Sequence, residues 1–269
     1  MGLDDLNDRG LVLVGCGKMG GALLEGWLAR GLRPAAAHVI DPNADPALAD
    51  RGVVLNGVPP ADPAAVVLAV KPQMMADVLP ALAAQGMGRA LVVSVAAGTT
   101  IARLEAAFPG AAVVRAMPNT PAAIGQGITA IVGNDRAGAE GLALARRLME
   151  AVGRVVTLED EGQIDAVTAL SGSGPAYVFH LIEAMAEAGA AEGLPPALAL
   201  ELARATVAGA GALAMAGDTP PAQLRQNVTS PGGTTAAGLA HLMDEGAGLR
   251  PLLRRTVAAA AARGRELGR

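Results

Sequence analysis

The hexapeptide Gly15-Cys16-Gly17-Lys18-Met19-Gly20 spaces three glycines as G-x-G-x-x-G. It follows the apolar run Leu11 to Val14 and precedes Leu23, Leu24, Trp27 and Leu28 at helical spacing, with Gly31 as a natural stop. In such a strand–turn–helix the first glycine permits the tight turn and the second lets the backbone approach a pyrophosphate. The third lets helix and strand pack closely. The helix N-terminus then offers N–H groups and a favourable dipole to the phosphates. In a chain with 35 glycines the spacing alone carries little; its strand, its helix and a second strand at His38 to Asp41 make it a dinucleotide-binding turn. Cys16 reads as a small residue filling the turn. A second chemistry-bearing stretch is Ser230-Pro231-Gly232-Gly233-Thr234-Thr235, set in an alanine-rich helical half. There each glycine costs about 1 kcal/mol and a proline about 3 kcal/mol relative to alanine. Ser171-Gly172-Ser173-Gly174-Pro175 interrupts the same half earlier. Either these are plain helix caps, Ser and Thr being good ones, or they present helix N-termini and hydroxyls to an anion. The residues themselves leave both readings open.

Positioning these groups requires an alternating scaffold. Apolar runs at Ala65 to Val70, Ala90 to Val95, Val113 to Met117, Ile128 to Val132 and Val155 to Leu158 read as strands with helical stretches between several of them. This predicts a doubly wound α/β domain, in which ligands bind at the carboxyl ends of strands. Those ends are Gly15 to Gly20, Asp41 to Asn43, Val70-Lys71-Pro72, Ala96 to Gly98 and Met117 to Pro121. Lys71 alone reads as a surface lysine, and Ala-Met-Pro-Asn-Thr-Pro as a rigid loop, because each proline pushes its predecessor to extended geometry. Asn56 is either a solvated loop residue or a contact to an adenosine ribose. Asp41 ends the second strand, where an acidic side chain bonds ribose hydroxyls and repels a 2′-phosphate. Pro42 decides whether it faces inward. From about Glu161 the strand signal stops and helical segments take over, which predicts a dinucleotide-binding domain over 1–159 and a helical domain over 160–269.

Composition bounds the function further. With 52% hydrophobic residues but one Trp, one Tyr and two Phe, the core must be built from close-packed small aliphatics. A net charge of -4 without a basic cluster argues against nucleic acid as a partner. A single cysteine excludes an intrachain disulfide and fits a reducing compartment. The acidic start MGLDDLNDRG is unlike a signal peptide, and Gly2 lacks the downstream hydroxyl residue of a myristoylation site. The apolar stretch Ala176 to Ala191 carries His180, Glu183 and Glu187, so it reads as a buried or interfacial helix rather than a membrane span. The expectation is a soluble, cytoplasmic protein with no membrane partner and no metal. His38, His180 and His241 lie outside every motif, which disfavours a general-acid histidine.

Taken in order, GCGKMGGA, LAVKPQ, VVSVAAGTT, RAMPNTPAAIGQG, DAVTALSGSGPAYVF, LPPALALELA and QLRQNVTSPGGTTAAGL resemble the Δ1-pyrroline-5-carboxylate reductase family over essentially the whole chain. The resemblance implies an N-terminal Rossmann-type doubly wound parallel sheet and a C-terminal all-α dimerisation domain. It implies hydride transfer from NADPH or NADH to the ring C=N of 1-pyrroline-5-carboxylate, giving L-proline. Gly15, Cys16, Gly17, Lys18, Met19, Gly20, Asn56, Val70, Lys71 and Ala97 match cofactor-contacting positions, with Pro72 beside them, and Asn227 matches one from the helical half. Ser230, Gly233, Thr234 and Thr235 match the loop that holds the substrate carboxylate and ring nitrogen. Thr235 is the catalytic candidate, with its hydroxyl by the imine nitrogen. Glu161 matches a position near the substrate, while Asp218 stands where many members carry glutamate. The family also implies self-association as a dimer or a dimer-based oligomer, with the Ser230 to Thr235 loop laid over the partner's cofactor. Two rival readings are a β-hydroxyacid-dehydrogenase-like enzyme using a lysine as acid/base, and a non-catalytic nucleotide-binding scaffold.

Overall fold

The computed structural model describes residues 4–268; Gly2 and Arg269 lie outside the described residues. The chain forms two compact units, one running up to Gly172 and taking in the chain from Ala261 onward, the other Ser173–Ala260.

The first unit is built on eight strands: β1 (Leu11–Val14), β2 (Ala37–Ile40), β3 (Val54–Leu55), β4 (Ala65–Leu68), β5 (Leu91–Ser94), β6 (Val113–Met117), β7 (Gly127–Gly133) and β8 (Gly153–Thr157). They form one sheet in the order β3-β2-β1-β4-β5-β6-β7-β8. The central strands are continuous apolar runs because both faces are covered. Leu11 and Leu13 of β1 and Ala65 and Val67 of β4 enter one core cluster, whereas Val12, Val14, Val66 and Leu68 enter the other. Successive side chains of a strand point to opposite faces, so the same tetrapeptides build both layers.

Helices α1 (Asp4–Arg9), α2 (Lys18–Ala29), α3 (Ala47–Asp50), α4 (Met75–Ala84), α5 (Ile101–Ala107), α6 (Gly138–Glu150) and α7 (Ile164–Val167) belong to this unit. On one face Leu23, Leu24 and Trp27 of α2 pack with Leu148 and Met149 of α6. The Trp27 indole N–H donates to the Leu148 carbonyl at 2.8 Å, which lets the chain's one tryptophan be fully buried without stranding its donor. On the other face lie Met75, Leu79 and Leu82 of α4, Leu104 of α5 and Ile164 of α7.

Two features differ from the sequence expectation. Strand β7 runs antiparallel to β6, while β8 is parallel to β7. The segment between β6 and β7 is only a 3-10 turn, Thr120–Ile124, closed by Gly125 at φ +70°. Such a link is too short for the crossover that a parallel pair requires. The two compact units divide at Gly172, with Ile164 packed into the second core cluster of the first unit. Ser171 to Pro175 does not break the helix as anticipated. The chain stays wound through a π-type turn, Thr168–Gly172, and runs on into the next helix from Gly174.

The second unit holds α8 (Gly174–Ala191), α9 (Pro196–Met215), α10 (Pro221–Asn227), α11 (Thr234–Leu242) and the start of α12 (Leu249–Leu267). Gly189 of α8 comes close enough to α9 that a Cβ there would touch the Ala199 methyl at 3.4 Å. Among the described residues of this unit the buried hydrophobics are Ala199 and Ala203, while Phe179, Leu202, Leu213 and Met215 are exposed. Among the described residues, α9 is the helix long and apolar enough to cross a membrane by length and composition alone; the 176–191 stretch, read from the sequence as no membrane span, does not reach that mark.

Candidate functional site

The site in the first unit begins at the turn between β1 and α2. Gly15 takes φ +91°, and a Cβ there would lie 2.8 Å from the Ala69 and Val70 backbone. A Cβ on Gly20 would collide with the Gly15 carbonyl oxygen, whereas one on Gly17 meets nothing within 4 Å. The three glycines therefore have three uses: a left-handed turn, open approach, and helix-to-turn contact. Gly17 is the N-cap of α2, and no side chain caps that helix. Lys18 and Met19 form its first turn, Lys18 exposed and Met19 packed on the core.

Gly15, Cys16, Gly17, Asp41, Val70 and Lys71 line one cleft of about 480 Å³ at the carboxyl ends of β1, β2 and β4. The structure thus brings six of the sequence-predicted cofactor residues together. The far wall was not anticipated: Met74, Asp77, Val78, Ala81 and Gln85, from α4 and its flanks. Their i, i+3, i+4 and i+7 spacing after Lys71-Pro72 is a helical stripe, a signal that was present in the sequence.

Asp41 faces the cleft. Its Oδ2 accepts the Cys16 N–H at 2.6 Å and its Oδ1 accepts the Asn43 N–H at 2.8 Å. Asn56 holds the same residue from behind. Its side-chain amide donates to the Asp41 carbonyl and its oxygen accepts the Asp41 N–H, both at 3.0 Å. Asn56 is the one non-glycine with positive φ, +49°, among the described residues, in the left-handed region that asparagine tolerates. It lines an adjoining pocket of about 700 Å³ with Ile40, Pro59 and Pro60, not the cleft itself. Burial pushes the Cys16 thiol up, and the Asp41 and Glu25 carboxylates add to it.

Other predicted residues fall outside the cleft. Pro72 starts the 3-10 turn Pro72–Met74 with Lys71 as its N-cap. Ala97 lies half-buried beyond β5. Glu161 is engaged within the fold: its Oε1 accepts both the Ile101 N–H at the start of α5 and the Arg115 guanidinium, each at 2.8 Å. Arg115 is a buried cation of β6 that the sequence reading passed over. Asn119 of the Pro-Asn-Thr-Pro loop ties that loop to Ser171 and to the Ile128 N–H.

In the second unit the Ser230 to Thr235 loop opens α11. Gly232 has φ +69°, and the Gly233 N–H donates to the Ser230 carbonyl at 3.1 Å. Gly233 is the N-cap and no side chain caps the helix, so the hydroxyls of Ser230, Thr234 and Thr235 are not spent as caps. Thr234 and Thr235 are exposed. The Asn227 amide oxygen accepts from Gln223 at 2.8 Å. Burial pushes the His38 imidazole below its ordinary range, His180 sits in an exposed pair with Glu183, and no group of three or more metal-ligating side chains stands together among the described residues.

Comparison with known proteins joins the two units into one family. A family model described as pyrroline-5-carboxylate reductase dimerisation matches residues 161–267, and one described as NADP oxidoreductase, coenzyme F420-dependent, matches 11–98. The pyrroline-5-carboxylate reductase of Pseudomonas aeruginosa is 40% identical over 96% of both chains. That of Synechocystis is 48% identical over 76% of this chain and 75% of its own. Among solved structures, the Coxiella burnetii pyrroline-5-carboxylate reductase superposes with a TM-score of 0.87 at 34% identity, covering 98% of this chain and all of the other. The Plasmodium falciparum enzyme with NADP bound gives 0.84 at 27% identity, covering 98% and 99%. The dimerisation match spans α8 to α12, the helices that carry the exposed apolar residues of the second unit. On the 40% identity across almost the full length, the chain belongs to the pyrroline-5-carboxylate reductase family.

Proposed function

We propose that the protein reduces the ring C=N of 1-pyrroline-5-carboxylate to L-proline. The observation that supports this is that a member of this family carries a strand-end cleft lined by the glycine-rich turn and, in its second unit, an α11 with no side-chain cap. The nicotinamide of NADH or NADPH supplies the hydride when bound. The residues of the cleft fit such a cofactor: Gly17 leaves open approach, the uncapped start of α2 attracts phosphate, and Asp41 offers acceptors to a ribose. Gly15, Cys16, Lys18, Met19, Gly20, Val70 and Lys71 complete the cradle and its frame; Asn56, Pro72, Ala97 and Asn227 are carried as cofactor residues by the resemblance.

On this reading Ser230, Gly233 and Thr234 hold the substrate carboxylate at the start of α11, where backbone N–H groups and the dipole favour an anion. Thr235 sets its hydroxyl against the ring nitrogen. A protonated cyclic imine is already electrophilic and the product amine is basic, so alignment and one hydrogen-bond partner suffice. Glu161 acts from within the frame, through Arg115 and α5. The dinucleotide-binding and helical domains divide the work, the second making the dimer, and the protein works in the cytoplasm without nucleic acid or membrane partners. The test is oxidation of NADH or NADPH by purified protein with 1-pyrroline-5-carboxylate, with proline as product. No turnover with this imine alongside clear turnover of a 3-hydroxy acid overturns it.

A further inference from the structure

The carboxylate at the end of β2 has a geometry that bears on which nicotinamide cofactor the cleft takes. Asp41 is anchored on three sides: by the Cys16 N–H, by the Asn43 N–H, and through its backbone by Asn56. Its side chain therefore does not turn away, in spite of Pro42. It lines the cleft together with the glycine-rich turn, where the adenosine ribose of a dinucleotide lies in this fold.

The charges around it do not offset it. Of the ionisable side chains lining the cleft, Lys71 is basic and Asp41 and Asp77 are acidic. The loop after β2, Asp41-Pro42-Asn43-Ala44-Asp45-Pro46, contains no arginine, lysine, serine or threonine. Arg51 lines a separate small pocket with Cys16 and Asp45. Its guanidinium is occupied by both oxygens of Glu25, one at 2.9 Å, and that bond holds the Glu25 carboxyl below its usual range.

We infer that Asp41 makes this chain selective for NADH over NADPH. Its fixed acceptors suit two ribose hydroxyls, and its fixed charge opposes a 2′-phosphate. The inference rests on the proposed dinucleotide cleft, and it sets this chain apart from the relative whose structure holds NADP. Even with the screening of water, one carboxylate beside a dianionic phosphate lowers affinity roughly tenfold, and the effect shrinks as salt rises.

Calorimetric titration of the purified protein with ADP-ribose and with 2′-phospho-ADP-ribose reads the selectivity without turnover. The wild type binds ADP-ribose at least roughly tenfold more tightly. Asp41→Asn, which keeps an acceptor for the Cys16 N–H and removes the charge, brings the two ligands close together, chiefly by improving the phosphorylated one. The gap in the wild type narrows in high salt. Equal or tighter binding of 2′-phospho-ADP-ribose by the wild type overturns the inference while leaving the cleft intact. A gap unchanged in Asp41→Asn also overturns it. Failure of both ligands to bind, or to raise the wild type's Tm, overturns the dinucleotide cleft and the selectivity with it. The wild-type titration needs no variant, so a misfolded Asp41→Asn leaves the test standing.

Discussion

Glu161 offers the sharpest discrimination between a substrate residue and a framework residue. Its Oε1 satisfies two donors, the Ile101 N–H and the Arg115 guanidinium. The Arg115 side chain is 6% exposed and that of Glu161 29%. Removing one partner of a buried ion pair costs about 3–5 kcal/mol, because the other charge is left uncompensated. Water reaching the partly open Glu161 side lowers this to about 2 kcal/mol, and the orphaned Ile101 N–H adds about 1 kcal/mol. Glu161→Ala is thus expected to lose about 3 kcal/mol, which in a unit of this size lowers Tm by roughly 6–12 °C. Glu161→Gln retains an oxygen for both donors and loses only the charge, so it is expected to cost about 1 kcal/mol and to leave kcat/KM within about threefold of wild type. Thermal and urea denaturation of both variants, with steady-state kinetics well below Tm, measures these effects. Glu161→Gln with unchanged stability and a kcat/KM reduced about a hundredfold would refute the reasoning, because the carboxylate would then act on substrate.

Thr235→Ala should lower kcat/KM by roughly 10–100-fold, the loss of about 1.5–3 kcal/mol for one hydrogen bond to a charged nitrogen. Its Tm should stay at the wild-type value, since α11 uses no side-chain cap; unchanged kinetics would remove Thr235 from the chemistry. Gly20→Ala, whose methyl meets the Gly15 carbonyl, should destabilise by about 3 kcal/mol. Gly17→Ala, whose methyl meets open space, should keep wild-type stability and lose ADP-ribose affinity in the same titration. The Cys16 thiol is pushed up by burial and then by Asp41 and Glu25, so it carries less thiolate than a free cysteine near pH 8. Alkylation should therefore be slow and should speed up in Asp41→Asn, which a mass-spectrometric time course reads. If the substrate loop serves the partner's cofactor, as the resemblance implies, inactive Gly17 and Gly233 variants refolded as a mixture should recover roughly a quarter of wild-type activity. Hetero-oligomers that stay inactive would confine each site to one chain.

What the sequence determined by itself was local. The β1–turn–α2 unit, the apolar strands and the long helices follow from properties that act within a few residues: which glycines can take positive φ or close contact, and whether apolar side chains repeat every two or every 3.6 positions. Gly15, Cys16, Gly17, Asp41, Val70 and Lys71 were legible as the lining of one cleft because the carboxyl ends of parallel strands share one edge. The two-residue strand β3 was not, because two residues carry no period. Nor was the reversed direction of β7, which turns on how short its link to β6 is once the sheet is built. Pairings between distant residues belong to the tertiary structure alone. Arg115 takes up Glu161 across 46 positions, and Asn56 fixes Asp41 across 15. No spacing rule specifies such contacts: they exist only once the sheet is assembled, and for Arg115 low-dielectric burial then makes a partner for its charge obligatory.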